Sequence, residues 1–276
     1  MERLLQLKLK NKTISTELPA FVMGIVNATP DSFFSGSRGG VERAKELISQ
    51  GADILDIGGE STKPGNPYIS AEEEISRVIP VIQEIRKFSD IPISVDTRKL
   101  AVMKAAYDAG ADILNDVSAL EDDAEMAAWC GKNDIPVILM HKRGTPQTMQ
   151  LNTKYDDVLT EVKEYFESRI AYAKSNGIKD ENIILDPGIG FGKNTADNLS
   201  LIKNCGKLSC GNHMVLMALS RKTVIGDVTG RPVEQRLAGT ITADILSIIN
   251  GAQMVRVHDV AETVDSLKIL KLIFSE

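Results

Sequence analysis

The chain has 276 residues, 43% hydrophobic and 25% charged, the balance of a soluble globular protein that can bury a core without metals or disulfides. A net charge of −6 argues against broad electrostatic binding to nucleic acid, so any anion held here must meet a local basic cluster. Three cysteines without a Cys-x-x-Cys pair (Cys130, Cys205, Cys210) fit reduced thiols in a cytoplasmic protein, and no apolar run has the form of a signal peptide or a membrane span.

No Pro/Ser-rich or low-complexity stretch divides the sequence, so residues 1–276 are expected to form one domain. The first segment, Leu5-Gln6-Leu7-Lys8-Leu9-Lys10, alternates strictly and predicts half of a short antiparallel hairpin. Eight short apolar segments follow, near 22–26, 53–57, 92–96, 112–115, 136–140, 183–186, 214–219 and 253–257. Such runs suit parallel strands buried on both faces. Helical spacing fills the gaps: Val41, Ala44, Leu47 and Ile48 in one, and Ile75, Val78, Ile79 and Ile82 in the next.

One joint recurs. Gly51-Ala52-Asp53-Ile54-Leu55-Asp56 resembles Gly110-Ala111-Asp112-Ile113-Leu114-Asn115, and both resemble Gly251-Ala252-Gln253-Met254-Val255-Arg256. In each, a glycine suited to a left-handed helix cap precedes an apolar run that ends in a polar residue. Eight alternations of this kind predict an α/β fold, a (β/α)8 TIM barrel, with the N-terminal β-hairpin capping the barrel bottom.

Barrels of this kind build their chemistry at the C-terminal ends of the strands. Read in order, those ends are Asn27, Glu60-Ser61-Thr62, Asp96, Asn115, His141, Asp186, Ser220-Arg221-Lys222 and Arg256 with His258. One polar end can simply cap the next helix, but eight of eight exceed what capping needs. Asp96, Asn115 and Asp186 offer two carboxylates and an amide. That set is open to metal binding or glycoside hydrolysis, and it also suits a flat heterocycle rich in N–H donors. Lys222, Arg256 and His258 form the opposite set at the last two strands, where barrels commonly bind phosphate. Two glycine-rich stretches adjoin them. Asp186-Pro187-Gly188-Ile189-Gly190-Phe191-Gly192-Lys193 is open between a tight turn and direct ligand contact, and Ile57 to Gly65 has the composition of a closing loop.

These stretches together resemble a known family. Met23-Gly24-Ile25-Val26-Asn27-Ala28-Thr29-Pro30-Asp31-Ser32-Phe33 is similar to the first signature of dihydropteroate synthases, and Asp56 to Gly65 to the second. Ser94 to Thr97, Leu114 to Val117, Leu139 to Pro146, Asp186 to Lys193, Ser220-Arg221-Lys222 and Val255 to Val260 follow in family order.

The resemblance implies a transferase of folate biosynthesis. It would condense 6-hydroxymethyl-7,8-dihydropterin pyrophosphate with p-aminobenzoate, with Mg²⁺ assisting, sulfonamides competing and a homodimer as the assembly. It assigns catalysis to Asn27, Asp96, Asp186, Lys222, Arg256 and His258. Pterin binding falls to Asp96, Asn115, Val117, Met140, Asp186, Phe191, Lys222 and Arg256. Pyrophosphate binding falls to Asn27, Thr62, Lys63, Arg256 and His258, with Asn27 also the metal ligand. The p-aminobenzoate pocket would use Phe33, Thr62, Pro64, Phe191, Ser220 and Lys222.

Lys63 departs from the arginine usual in the family, Lys142 from a common methionine, and the loop after Phe33 from the commonest form. Lysine keeps the charge and loses the planar fork. These departures bear on p-aminobenzoate affinity and sulfonamide response more than on the reaction class. Two other functions stay open: a methyltetrahydrofolate:corrinoid methyltransferase on the same kind of barrel, and a non-catalytic pterin-binding paralogue. Outside the site, His141 reads as a structural hydrogen-bonding residue, His213 as a surface residue, Trp129 and Cys130 as packing, Lys268 and Lys271 as solvated helix surface, and Asp56 as a supporting carboxylate.

Overall fold

The structure is a computed structural model that describes residues 4–28, 40–61, 68–144, 148–149 and 153–274. The chain begins with the expected hairpin, β1 (Leu5–Lys8) antiparallel to β2 (Thr13–Thr16), with Leu5 opposite Thr16. Eight parallel strands then close a barrel in chain order: β3 (Phe21–Asn27), β4 (Ile54–Gly58), β5 (Ile93–Asp96), β6 (Ile113–Asp116), β7 (Val137–Met140), β8 (Ile183–Asp186), β9 (Met214–Met217) and β10 (Met254–Val257), which pairs back onto β3. The helices are α1 (Gly40–Ser49), α2 (Ala71–Arg86), α3 (Leu100–Asp108), α4 (Met126–Asn133), α5 (Val158–Ser175), α6 (Thr195–Lys203), α7 (Thr223–Thr229), α8 (Leu237–Ile249) and α9 (Val260–Ile273). The expected strands are all found within a residue or two. The largest difference is β9, which stops at Met217, so Ala218 and Leu219 are buried beyond the ladder rather than in it.

Strand alternation sorts the core into two parts. Val22, Leu55, Val95, Leu114, Leu139, Leu185, Val215 and Val255 face the helices and share one apolar cluster with them. Phe21, Met23, Ile54, Ile113, Ile138, Ile184, Leu216 and Met254 share a second cluster with Leu5, Leu7 and Leu9. The alternating hairpin therefore lays its apolar edge across the N-terminal end of the barrel and closes it. Burying a side chain of this size contributes about 1.5–3 kcal/mol.

The repeated joint has a physical basis. Gly51, Gly110 and Gly251 take φ of +95°, +108° and +108°, a region that costs a side chain but not glycine. Two residues on, the polar side chain ties the joint to the start of the neighbouring strand. Asp53 Oδ2 accepts from Val22 N at 2.8 Å, Asp112 Oδ2 from Ile93 N at 2.9 Å, and Gln253 Oε1 from Val215 N at 3.0 Å. In each case the backbone N–H of the same polar residue donates to the carbonyl of that same partner, at 2.9, 2.8 and 3.0 Å. This two-way bond sets strand register, and with it the height of every side chain above.

His213 is a correction. It is buried, not on the surface, and Nδ1 lies 3.2 Å from the carbonyls of Ser209 and Cys210, inside the turn that leads into β9. Lys271 is half-buried and pairs with Glu17 at 2.8 Å, while Lys268 is exposed. Cys130 is buried, and Trp129 meets Tyr107 edge-on with ring centroids 5.5 Å apart, as packing residues do.

Candidate active site

Two residues above the apolar layer, the same inward face turns polar. Ile54 is followed by Asp56, Ile113 by Asn115, Ile184 by Asp186, and Met254 by Arg256. In the sheet, Asn27 lies beside Gly58, Gly58 beside Asp96, and Asp96 beside Asn115, so one rung of β3 to β6 carries three of the expected site residues. Met140 is registered with Asp186 across β7 and β8.

Arg256 crosses the barrel interior and joins these strands. Its Nε donates to Asp56 Oδ2 at 2.5 Å, and Nη2 donates to Asp96 Oδ2 at 3.0 Å. Asn115 Nδ2 donates to the same Asp56 Oδ2 at 3.1 Å. Asp56, Asn115 and Arg256 are the last residues of the three repeated joints, which bring them to a common depth. Burial would weaken the charge on Arg256, but Asp56 and Asp96 beside it more than offset this and hold its pKa above the ordinary value. For Asp96, burial outweighs the pull of Arg256, and Asp56 nearby adds to the rise, to about 7.

The other side of the mouth is set by the turn after β8. Asp186 is buried and accepts from Gly188 N at 2.7 Å; burial raises its pKa against the opposing effects of Lys222 and Gly188. Lys222 Nζ donates to Ile189 O at 2.7 Å and lies 4.9 Å from the centre of the Phe191 ring. Burial lowers its pKa to about 8, and Asp186 limits the fall. Met140 and Val117, at the ends of β7 and β6, are largely buried, and Phe191 lies beside Lys222.

That turn is held by a residue to which the sequence reading assigned no role. Lys193 is buried, and its Nζ reaches Gly188 O at 3.0 Å, Phe191 O at 3.1 Å and His141 Nδ1 at 2.9 Å. A Cβ on Gly188 would lie 1.9 Å from His141 O, so the turn passes directly over the end of β7. Gly188, at φ +65°, thus serves a tight turn. His141 makes the expected structural hydrogen bond, and burial, then the charge of Lys193, lower its pKa to about 2 and leave the ring neutral. A lysine directly closing a glycine run, within reach of the carbonyls of its own turn, was the available signal for Lys193.

Ser220 and His258 meet at the ends of β9 and β10. Ser220 Oγ accepts from His258 N at 3.1 Å and lies 2.9 Å from His258 Nδ1. Burial and then Arg256 lower the His258 pKa to about 4, so near neutral pH this ring offers a hydrogen bond and not a charge. Arg221, between Ser220 and Lys222, turns away to pair with both oxygens of Asp259 at 2.9 and 2.8 Å. The structure therefore brings Asp96, Asn115, Asp186, Lys222, Arg256, Ser220, His258 and Asn27 to one end of the barrel. Phe33, Thr62, Lys63 and Pro64 lie outside the described residues.

Buried carboxylates, an oriented amide and two half-buried cations at the C-terminal ends of barrel strands define an enzyme that binds a small polar molecule. Comparison with known proteins narrows the class. The sequence model of the family described as pterin binding enzyme matches residues 23–258. A dihydropteroate synthase of Clostridium beijerinckii is 40% identical over 273 residues, covering 97% of this chain and 99% of that protein. A crystal structure of Xanthomonas albilineans dihydropteroate synthase with 4-aminobenzoic acid superimposes with a TM-score of 0.91 at 41% identity, covering 99% and 100% of the two chains. The Yersinia pestis enzyme in a sulfonamide drug complex gives a TM-score of 0.93 at 36% identity, with the same coverage. The chain belongs to the dihydropteroate synthases of the pterin-binding enzyme family.

Proposed function

We propose that this protein condenses 6-hydroxymethyl-7,8-dihydropterin pyrophosphate with p-aminobenzoate, giving 7,8-dihydropteroate and pyrophosphate in folate biosynthesis. The observation that carries the reading is the meeting of Asp96, Asn115, Asp186 and Lys222 around Arg256 at the mouth of a barrel of this family. Acceptors on one side match the N–H edge of a pterin; cations on the other match its carbonyl and the diphosphate.

The step is a dissociative, SN1-like loss of pyrophosphate. The bond from the exocyclic carbon to the diphosphate oxygen breaks with its electron pair going to oxygen. The electron-rich ring stabilises the carbon left behind. The p-aminobenzoate nitrogen then forms the new C–N bond and gives up a proton to solvent or pyrophosphate. No protein nucleophile is needed, so catalysis rests on position and electrostatics. Arg256 and the neutral His258 supply donors to the leaving group, and Asp186 and Lys222 hold the ring.

Asn27 would hold Mg²⁺. It ends β3 at the barrel mouth, on the same rung as Asp96, and among the described residues no group of three His, Cys, Asp or Glu forms a cage. That donor set fits a cation that keeps its waters and arrives with phosphate oxygens. When bound, the cation neutralises charge on the leaving diphosphate. The assembly proposed is a homodimer, supported by exposed Leu246 and Ile249 on α8 and Ile269, Leu272 and Ile273 on α9. A cytoplasmic location is supported by three free cysteines, and no helix among the described residues is long and apolar enough to cross a membrane. Competition by sulfonamides at the p-aminobenzoate site follows from the same reading.

The test mixes protein, Mg²⁺, the dihydropterin pyrophosphate and p-aminobenzoate and follows both products, with Asp186→Asn as control. Equal amounts of dihydropteroate and pyrophosphate, strongly reduced in the variant, are expected. Pterin binding without turnover would favour the non-catalytic paralogue, and methyl transfer to a corrinoid would favour the methyltransferase. A trapped covalent pterin–protein adduct would sink the dissociative step.

A further inference from the structure

Asp56 shares the depth of Asn115 and Arg256 but is fully buried, and one of its oxygens is occupied twice. Its Oδ2 takes Arg256 Nε at 2.5 Å and Asn115 Nδ2 at 3.1 Å. Its Oδ1 has no hydrogen-bond partner among the described residues, although it is buried. A carboxylate in that setting is costly unless its bonds are strong, so the two it makes must supply that compensation.

We infer that Asp56 is a positioning residue for the reaction: it sets both the arginine and the amide at the barrel mouth. Resting on the proposed function, this assigns a role to a residue that would not itself touch substrate. Two consequences follow from the bonding. A guanidinium gripped through Nε has its plane and direction fixed at its root, so the Nη groups point toward the mouth whether or not Asp96 keeps its own bond to Nη2. Asp96 faces the mouth and can exchange Arg256 for a ligand, whereas Asp56 cannot be reached from outside and stays as the fixed anchor. The amide consequence concerns specificity. A carboxylate accepts and cannot donate, so Asp56 admits only the Nδ2 end of Asn115. The amide oxygen is thereby turned the other way and presents an acceptor to the ring edge. An amide free to flip would present donor and acceptor in turn and would lose discrimination between a ring N–H and a ring nitrogen or carbonyl. The same carboxylate thus couples the diphosphate side of the site to the ring side.

The experiment uses the full chain. Asp56→Asn should lower kcat/KM about 10- to 100-fold, as expected when hydrogen bonds to a charged group are lost. It should weaken both the dihydropterin pyrophosphate and a 6-hydroxymethylpterin that lacks the diphosphate, because an amide at 56 brings no charge to Arg256 and can offer either its oxygen or its nitrogen to Asn115. In the Asn115→Ala background the same change should weaken the diphosphate-free pterin clearly less than in the unmutated protein, since only the hold on Arg256 is then left to lose, the non-additivity of a residue acting through another. Equal effects in both backgrounds, or a kcat/KM within threefold of the unmutated protein, would overturn the inference while leaving the proposed reaction standing. Failure of the unmutated protein to turn over would instead strike the reaction itself. Should Asp56→Asn not fold, the unmutated protein decides. Its Arg256 Nε–H resonance, assigned by loss in Arg256→Lys, should exchange slowly with solvent and survive saturation with the dihydropterin pyrophosphate; exchange as fast as in an exposed arginine overturns the inference.

Discussion

The two ends of the barrel interior are built from the same faces of the same strands, yet their chemistry is opposite. At the N-terminal end Ile54, Ile113, Ile184 and Met254 close against Leu5, Leu7 and Leu9 of the hairpin. Two residues further on, Asp56, Asn115, Asp186 and Arg256 occupy the same faces. Alternation decides which side chains point inward, but does not decide that they be apolar. A charge persists inside when an opposite charge reaches it from a distant strand, as Arg256 reaches Asp56 and Asp96. One end is therefore stabilised by contact area and the other by pairing, and the two should respond differently to perturbation.

Breaking the pairing should have the largest effect. Arg256→Met leaves Asp56 and Asp96 buried without a cation and is expected to cost about 3 kcal/mol of stability together with most activity. Because Asp96, raised to about 7 by burial, can take up a proton, part of that stability should return on acidification; a variant whose melting temperature equals that of the parent at neutral pH would contradict the pairing account. At the apolar end, Leu216→Ala is expected to cost about 2–4 kcal/mol in denaturant unfolding through the cavity it leaves. Its kcat/KM per folded molecule should stay within about twofold, and a selective loss of catalysis would show that the two ends are not separable.

A pH titration sharpens the contrast at the top. With Lys222 lowered to about 8 by burial, the charged form that serves an anionic or carbonyl ligand is lost above that pH. Affinity for the dihydropterin pyrophosphate should be level below pH 8 and fall by about tenfold for each unit above it, and Lys222→Met should remove that limb from a calorimetric titration. The smallest effect concerns the joints. Burial raises Asp53 from 3.8 to about 6, so the folded state holds this proton more tightly than the unfolded chain does. The associated stability is present below about pH 4, is lost as pH rises through about 6, and is level above that. Asp53→Asn keeps an acceptor for Val22 N and should flatten the melting temperature across that interval, by no more than about 1 kcal/mol given partial solvent contact.

Much of the site could be read from sequence because the barrel turns position along a strand into position in space. Asn27, Asp96, Asn115, Asp186, Ser220, Lys222, Arg256 and His258 each end a strand or follow one closely, and family order supplied their roles. Lys193 and His213 were harder. Both follow or precede a strand in stretches whose composition is that of a surface turn, and their burial depends on how that turn folds back over its neighbour. The three-fold joint was visible as a repeat, but the bonds from Asp53, Asp112 and Gln253 to adjacent strands were not, since each partner lies in another segment.

The sequence by itself determined the strand and helix pattern, the closing hairpin, the end of the barrel that carries chemistry and the family. Those are matters of period and motif, written locally along the chain. Only the tertiary structure decided the charge state and orientation of the site: that Arg256 is held by Asp56 and Asp96, that Asn115 is turned by Asp56, that His258 is neutral beside Arg256, and that Lys193 holds the turn after β8. The reason is physical. Hydrogen-bond pairing and desolvation depend on which groups lie within a few ångströms, and here those groups come from residues as far apart in sequence as 56 and 256.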